Sequence, residues 1–171
     1  MKILLAVDGS HCSQVTLYTK EVIFNMSNQP PYYYEVNLEW LSERTCELTA
    51  EHLPSLQIGV PPEFGGKEGI WTPEHLYVAS VNSCFWATFL SIAHHSKLEF
   101  NQFRCSAKGK LEKVEGNGLQ ITEIALKPRL VLLGESDKEK AVRIIEKAEK
   151  NCLISNSIKT IINLEIEIIN A

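Results

Sequence analysis

TPEHLYVASVNSCFWATFLSIAHH, residues 72–95, is the stretch around which the rest of the chain has to fold. Thr72 is a favoured N-cap residue, Pro73 suits the first helical position, and Glu74 follows in the first turn, where the helix dipole favours a carboxylate. These signals predict a long helix running to about His95. From Leu76 to Ala93 it carries no charge and is apolar nearly all round, so it should have neighbours on several sides. Ser80, Asn82, Ser83, Thr88 and Ser91 interrupt the apolar run, which therefore reads as a buried central helix and not as a membrane span. His94 and His95 close it, where positive charge suits the C-terminal end.

Downstream of this helix, residues 101–114 and 119–133 alternate in polarity and are joined by EGNG, which predicts a hairpin with Asn117 and Gly118 as the residues tolerant of positive φ. Pro128 inside the second segment predicts an edge strand or a bulge at that point. Asp137 should cap a helix over residues 138–151 with Ala141, Val142, Ile144, Ile145 and Ala148 on its inner side, and Cys152 just past its end. NLEIEII, residues 163–169, alternates as a closing strand. Upstream, EVNLEW (35–40) and RTCELTA (44–50) predict another hairpin with Arg44 at its turn, followed by a Pro/Gly-rich loop over residues 60–76. The order strand, strand, long helix, strand, strand, helix, strand is that of an α+β fold built on antiparallel hairpins. Before it, KILLAV (2–7) reads as a strand and Gln14 to Phe24 as a helix, and Pro30 and Pro31 mark a boundary. The expected organisation is a strand-helix extension and linker over residues 1–31 and one domain over residues 32–171.

With 171 residues, 44% apolar and 22% charged, the chain has the composition of an ordinary globular protein. Its net charge of −4 is mild and its lysines alternate with acidic residues, which excludes a nucleic-acid footprint. The apolar run that ends at Asp8 is too short for a secretory signal, so a cytoplasmic protein is expected, with no membrane partner. Cys12, Cys46, Cys84, Cys105 and Cys152 are odd in number and widely spaced, which excludes a disulfide scaffold. No CxxC, HExxH or knuckle pair is present, so no metal site is expected. GGKEG lacks the ending of a phosphate loop and no cofactor motif stands out, so none is expected.

Cys84 lies in the middle of the most apolar segment. By residue type it reads as a small core residue, because unpaired cysteines are among the most buried side chains. A reactive thiol there would gain little from the helix dipole and would need a cation. Arg44 is the candidate if its hairpin folds over the helix, with Glu74 as a bidentate partner that orients the guanidinium. Such a thiolate could attack an O–O bond, and a second thiol such as Cys152 could trap the sulfenic acid as a disulfide. His75 is nine residues from Cys84, more than two helical turns, so the spacing does not support a triad between them.

Three stretches together are diagnostic: PPEFGGKEGIWTPEHLYVASVNSCFWATFLSIAHHSKLEF, ITEIALKPRLVL and KAVRIIEKAEKNCLISNSIK. They resemble the OsmC/Ohr family of thiol-dependent peroxidases over roughly residues 33–169. The resemblance implies an OsmC-like α+β fold, with antiparallel sheets wrapped around a long central helix in an intertwined homodimer whose active sites lie at the subunit interface. It also implies reduction of organic hydroperoxides in oxidative stress defence, with a dithiol such as a dihydrolipoyl group as reductant. By position Cys84 matches the peroxidatic cysteine, Cys152 the resolving one, Glu74 the glutamate of the PE motif, and Arg44 the early arginine. The sequence departs from the family in having C-L-I-S where C-P-V-S is usual, and Asn82 and Ser83 before the first cysteine. A non-enzymatic redox sensor or small-molecule binding protein on the same dimer is the alternative. MKILLAVDGSHCS separately resembles the first strand and loop of universal stress proteins, without their later phosphate loop.

Overall fold

The computed structural model describes residues 31–134 and 137–170. The strand and helix expected before residue 31 lie outside the described residues. From Glu35 onward the chain forms one compact unit.

The first sheet is a meander of three antiparallel strands, β1 (Asn37–Ser42), β2 (Thr45–Thr49) and β3 (Leu56–Gly59). Arg44 sits in the turn between β1 and β2, as its sequence context predicts. β3 was not anticipated. It is tied to the start of the long helix by a bridge between Ile58 and Trp71 and by the Gly59 N–H donating to Trp71 O at 2.8 Å. Every residue of β1 is exposed, Leu38, Trp40 and Leu41 included.

Helix α1 (Pro73–His95) has the predicted bounds. Thr72 Oγ1 accepts from the His75 N–H at its start. At its end the Leu98 N–H donates to Ala93 O (2.9 Å) and Lys97 takes a φ of 50°, a Schellman-type stop made without glycine. Val81, Phe85, Phe89 and Ala93 recur every four residues and are fully or nearly fully buried, forming the one stripe of α1 that its own chain covers completely. Phe89 stacks on Phe103 with ring centroids 4.5 Å apart and leans on Phe100 at 5.5 Å.

The second sheet supplies that cover. β4 (Phe100–Val114) and β5 (Gly118–Leu132) form a long antiparallel hairpin. Its turn differs from expectation: Gly116 and Gly118 take the positive φ, at 76° and 77°, and Asn117 does not. The Asn117 N–H donates to Val114 O at 3.0 Å, which puts Gly116 at the turn position where positive φ is needed. Ile124, Leu126, Pro128, Leu130 and Leu132 are all buried, so period-two alternation holds through the proline. β5 is not an edge strand, and no bulge falls at Pro128, which pairs in register with Cys105. The interruption is in its neighbour. β6 (Ile161–Leu164) and β7 (Glu167–Asn170), expected as one strand, pair in parallel with β5 on either side of the break that faces Lys127 and Pro128. The closing strands are thus parallel additions to an otherwise antiparallel sheet.

Helix α2 (Lys138–Lys150) packs on α1 through Ala141, Ile144, Ile145 and Ala148, with Val142 only half-buried. Asp137 holds the N-cap position but makes no side-chain cap bond; its carboxylate lies 3.8 Å from Lys140 Nζ.

Gly109 lets β4 approach α1. A Cβ there would sit 2.6 Å from Val78 Cγ2. Gly109→Ala should therefore cost about 1–3 kcal/mol, recovered in part by adding Val78→Ala, as read by urea denaturation. Phe89→Ala removes a fully buried ring and should cost about 3–5 kcal/mol in the same assay.

Candidate functional site

α1 and the turn after α2 bring two thiols together. Cys84 lies on α1 one residue before the buried Phe85 and is half-buried; Cys152 follows the C-cap of α2 and is fully buried. Both are free thiols. The link between them is the turn that begins with Cys152, in which the Ile154 N–H donates to Cys84 Sγ at 3.5 Å.

Burial pushes the Cys84 pKa above that of an ordinary thiol. The Ile154 N–H opposes this, the Cys152 thiol adds to the rise, and the Leu153 N–H again opposes it. Within one chain the balance favours the neutral thiol. Cys105, on β4, is pushed up to about 11 by burial, only partly offset by the Lys127 N–H.

The other two residues singled out in the sequence lie apart from this pair. Glu74 is ten residues from Cys84 on the same helix, about 15 Å along its axis. Its Oε2 is buried and has no hydrogen-bond partner. Arg44 is exposed at the β1–β2 turn, and its Nη1 donates to Phe64 O at 2.7 Å, with the guanidinium over Gly65. Gly65, at φ 82°, closes the short Pro62–Phe64 turn beside that side chain. Among the described residues no ion pair joins Arg44 to Glu74, so a single chain does not assemble all four groups.

Glu74 opens onto a cleft of about 770 Å³ between α1, β4 and the 61–72 loop. Asn82 lines the same cleft: its Nδ2 donates to Cys105 O at 3.2 Å, and its Oδ1 is a second buried acceptor without a donor. Sequence reasoning took Asn82 as a polar break in the apolar run and as a departure before Cys84, not as a group facing a cleft. The eight-residue spacing from Glu74 through Val78, which places all three along one side of α1, was the available signal. His75 serves the cap, its Nδ1 2.9 Å from Thr72 Oγ1. Among the described residues no group of three or more His, Cys, Asp or Glu side chains could hold a metal ion.

The model of the OsmC-like protein family matches residues 65–167, more than half of the chain, running from before α1 through β6 and taking in both thiols. The chain belongs to the OsmC-like family. An uncharacterized protein of Acinetobacter baylyi is 25% identical over 122 residues, 71% of this chain and 82% of that protein. Among solved structures, an OsmC-like protein of unknown function from Vibrio cholerae superposes with a TM-score of 0.74 at 22% identity, covering 80% of this chain and 99% of that one. An organic hydroperoxide resistance protein OsmC from Legionella pneumophila gives 0.63 at 20% identity, covering 82% and 99%. These likenesses show the OsmC-like α+β fold. In that fold α1, the one described helix long and apolar enough to cross a bilayer, is a core element packed on β4, β5 and α2.

The Cys105 environment gives a direct check. Its alkylation by iodoacetamide, followed by peptide mass spectrometry, should have a midpoint near pH 11. A midpoint near that of a free thiol would mean that β4 does not shield it.

Proposed function

We propose that this OsmC-like protein is a thiol-dependent peroxidase that reduces organic hydroperoxides, with Cys84 as nucleophile and Cys152 as resolving thiol. The observation that carries the reading is the juxtaposition of the two free thiols through the 152–154 turn. The Cys84 thiolate attacks the terminal oxygen of ROOH: an S–O bond forms, the O–O bond breaks, and the departing alkoxide takes a proton to leave as ROH. Cys152 then attacks the sulfenic acid, forming the S–S bond and releasing water. A dithiol such as a dihydrolipoyl group reduces that disulfide and leaves as its own disulfide.

Because burial raises the Cys84 pKa, the thiolate needs a cation beyond what one chain provides. In the proposed homodimer Arg44 and Glu74 come to Cys84 from a second copy, and active sites form at the interface. Supporting this are the exposed apolar side chains of β1 (Leu38, Trp40, Leu41) and Trp86 on α1, surface that a monomer leaves in water. The protein acts in the cytoplasm, with residues 1–31 as an appended segment. A second reading, a non-enzymatic redox sensor or small-molecule binding protein on the same dimer, is favoured by the raised Cys84 pKa, which slows the thiol.

Steady-state reduction of cumene hydroperoxide by dihydrolipoamide tests the reading. Turnover should vanish in Cys84→Ser, whereas Cys152→Ser should consume one equivalent of peroxide and stop at the sulfenic acid. Arg44→Ala should lower turnover about 10–100-fold below pH 8 and less at higher pH, because losing a cation raises the thiol pKa by roughly 1–2 units. Wild-type protein that oxidises at both thiols without turning over would favour the sensor instead.

A further inference from the structure

The turn after α2 spends its main-chain N–H groups unevenly. Cys152 donates to Glu149 O, Asn156 to Cys152 O and Ser157 to Ile154 O, each at 3.0 Å. Ile154 donates instead to the Cys84 sulfur across 70 residues of chain. The turn is held in this shape by its own side chains: Ser157 Oγ donates to Leu153 O at 2.8 Å, and Asn156 Nδ2 to Lys150 O at 3.1 Å. The Leu153 side chain is 63% exposed and packs little.

We infer that the Ile154 main-chain N–H, 3.5 Å from Cys84 Sγ, together with the adjacent Leu153 N–H, forms a backbone cradle for the Cys84 thiolate, built into the same turn that carries Cys152. Successive peptide N–H groups converging on one atom make an anion site without any charged side chain. Both amides lower the Cys84 pKa, in opposition to burial and to the Cys152 thiol. Leu153 and Ile154 are positioning residues, acting through the backbone on the sulfur. The cradle also places the thiolate beside its partner, because Cys152 and the two amides are consecutive in sequence. Once the sulfur is oxidised to a disulfide with Cys152 it no longer carries a charge for the amides to hold, and the covalent bond takes over their hold on the turn. This deepens the reading of Cys84 as a reactive thiol and is independent of whether a peroxide is its substrate.

The test is the pH profile of Cys84 alkylation by iodoacetamide, read on the Cys84 peptide by mass spectrometry in the full-length reduced protein. Replacing the Ile154 peptide N–H by an ester oxygen, which keeps the side chain, should raise the midpoint by about one unit. Leu153→Pro, which deletes the other N–H, should act in the same direction, while Leu153→Ala, which keeps it, should leave the midpoint unchanged. In ¹⁵N-labelled protein the Leu153 and Ile154 amide protons should shift with the Cys84 midpoint and cease to do so in Cys84→Ser. An unchanged midpoint in the ester variant, or amide shifts that ignore the titration, overturns the cradle, and the ester variant decides if Leu153→Pro does not fold. Because alkylation reads ionisation and not turnover, a protein with these shifts but no peroxidase activity would keep the cradle and lose the peroxidase reading.

Discussion

Helix α1 carries more apolar surface than its own chain covers. The β4–β5 hairpin takes the stripe Val81, Phe85, Phe89 and Ala93, and α2 takes a second side, yet Trp86 remains half in water. The approach to the sheet is as close as Gly109 allows, so the chain cannot cover more by tightening that contact. A helix without a polar face loses stability for every apolar side that stays hydrated. The β1–β3 meander shows the same imbalance, with Leu38, Trp40 and Leu41 outward. Two uncovered apolar surfaces on one small domain are the physical ground for the proposed second copy.

The same helix sets the chemistry of its thiol. Half-burial at Cys84 removes water that would stabilise a thiolate, and this is the largest influence on its pKa. The Ile154 N–H is the strongest opposing one, and it reaches the sulfur only because α2 docks its C-terminal end against α1. Packing of Ile144, Ile145 and Ala148 therefore has an electrostatic consequence at a residue they flank: it fixes where the peptide dipoles of the following turn point. Dispersion holds the helices together, and a backbone dipole in the joint then acts on the sulfur.

Much of this was legible in the sequence where a local rule applied. Thr72-Pro73-Glu74 marked the start of α1, and alternation gave β4 and β5 to within a residue. β3 escaped because LQIG is only four residues long, ends in glycine and is fixed by pairing with β2 and by the bridge to Trp71. Pro128 was read by a rule that holds when a strand needs every N–H; here the neighbouring strand breaks opposite the proline, so the missing donor has no acceptor to disappoint. The pairing of Cys84 with Cys152 came from family resemblance, since residue spacing cannot bring together positions 68 apart. The Leu153 and Ile154 amides were invisible, because every residue but proline has an N–H and only tertiary structure aims it.

Glu74 Oε2 and Asn82 Oδ1 carry the argument one step further. Each is a buried acceptor without a donor, and such a group costs about 1–3 kcal/mol. Both line one cleft, on one side of α1, so a donor group seated there relieves both. A guanidinium has five N–H donors, and Arg44 uses Nη1 on its own Phe64 carbonyl. In the proposed dimer it can stay anchored to its hairpin and still present its remaining donors to the Glu74 carboxylate that accompanies it to the other copy's Cys84; a lysine, with a single point of charge on a flexible stem, would have to choose. A two-fold relation makes the exchange reciprocal, each copy giving Arg44 and Glu74 to the other's Cys84. The 15 Å between Glu74 and Cys84 along one helix is then no obstacle, because in that dimer Glu74 serves the other copy's thiol.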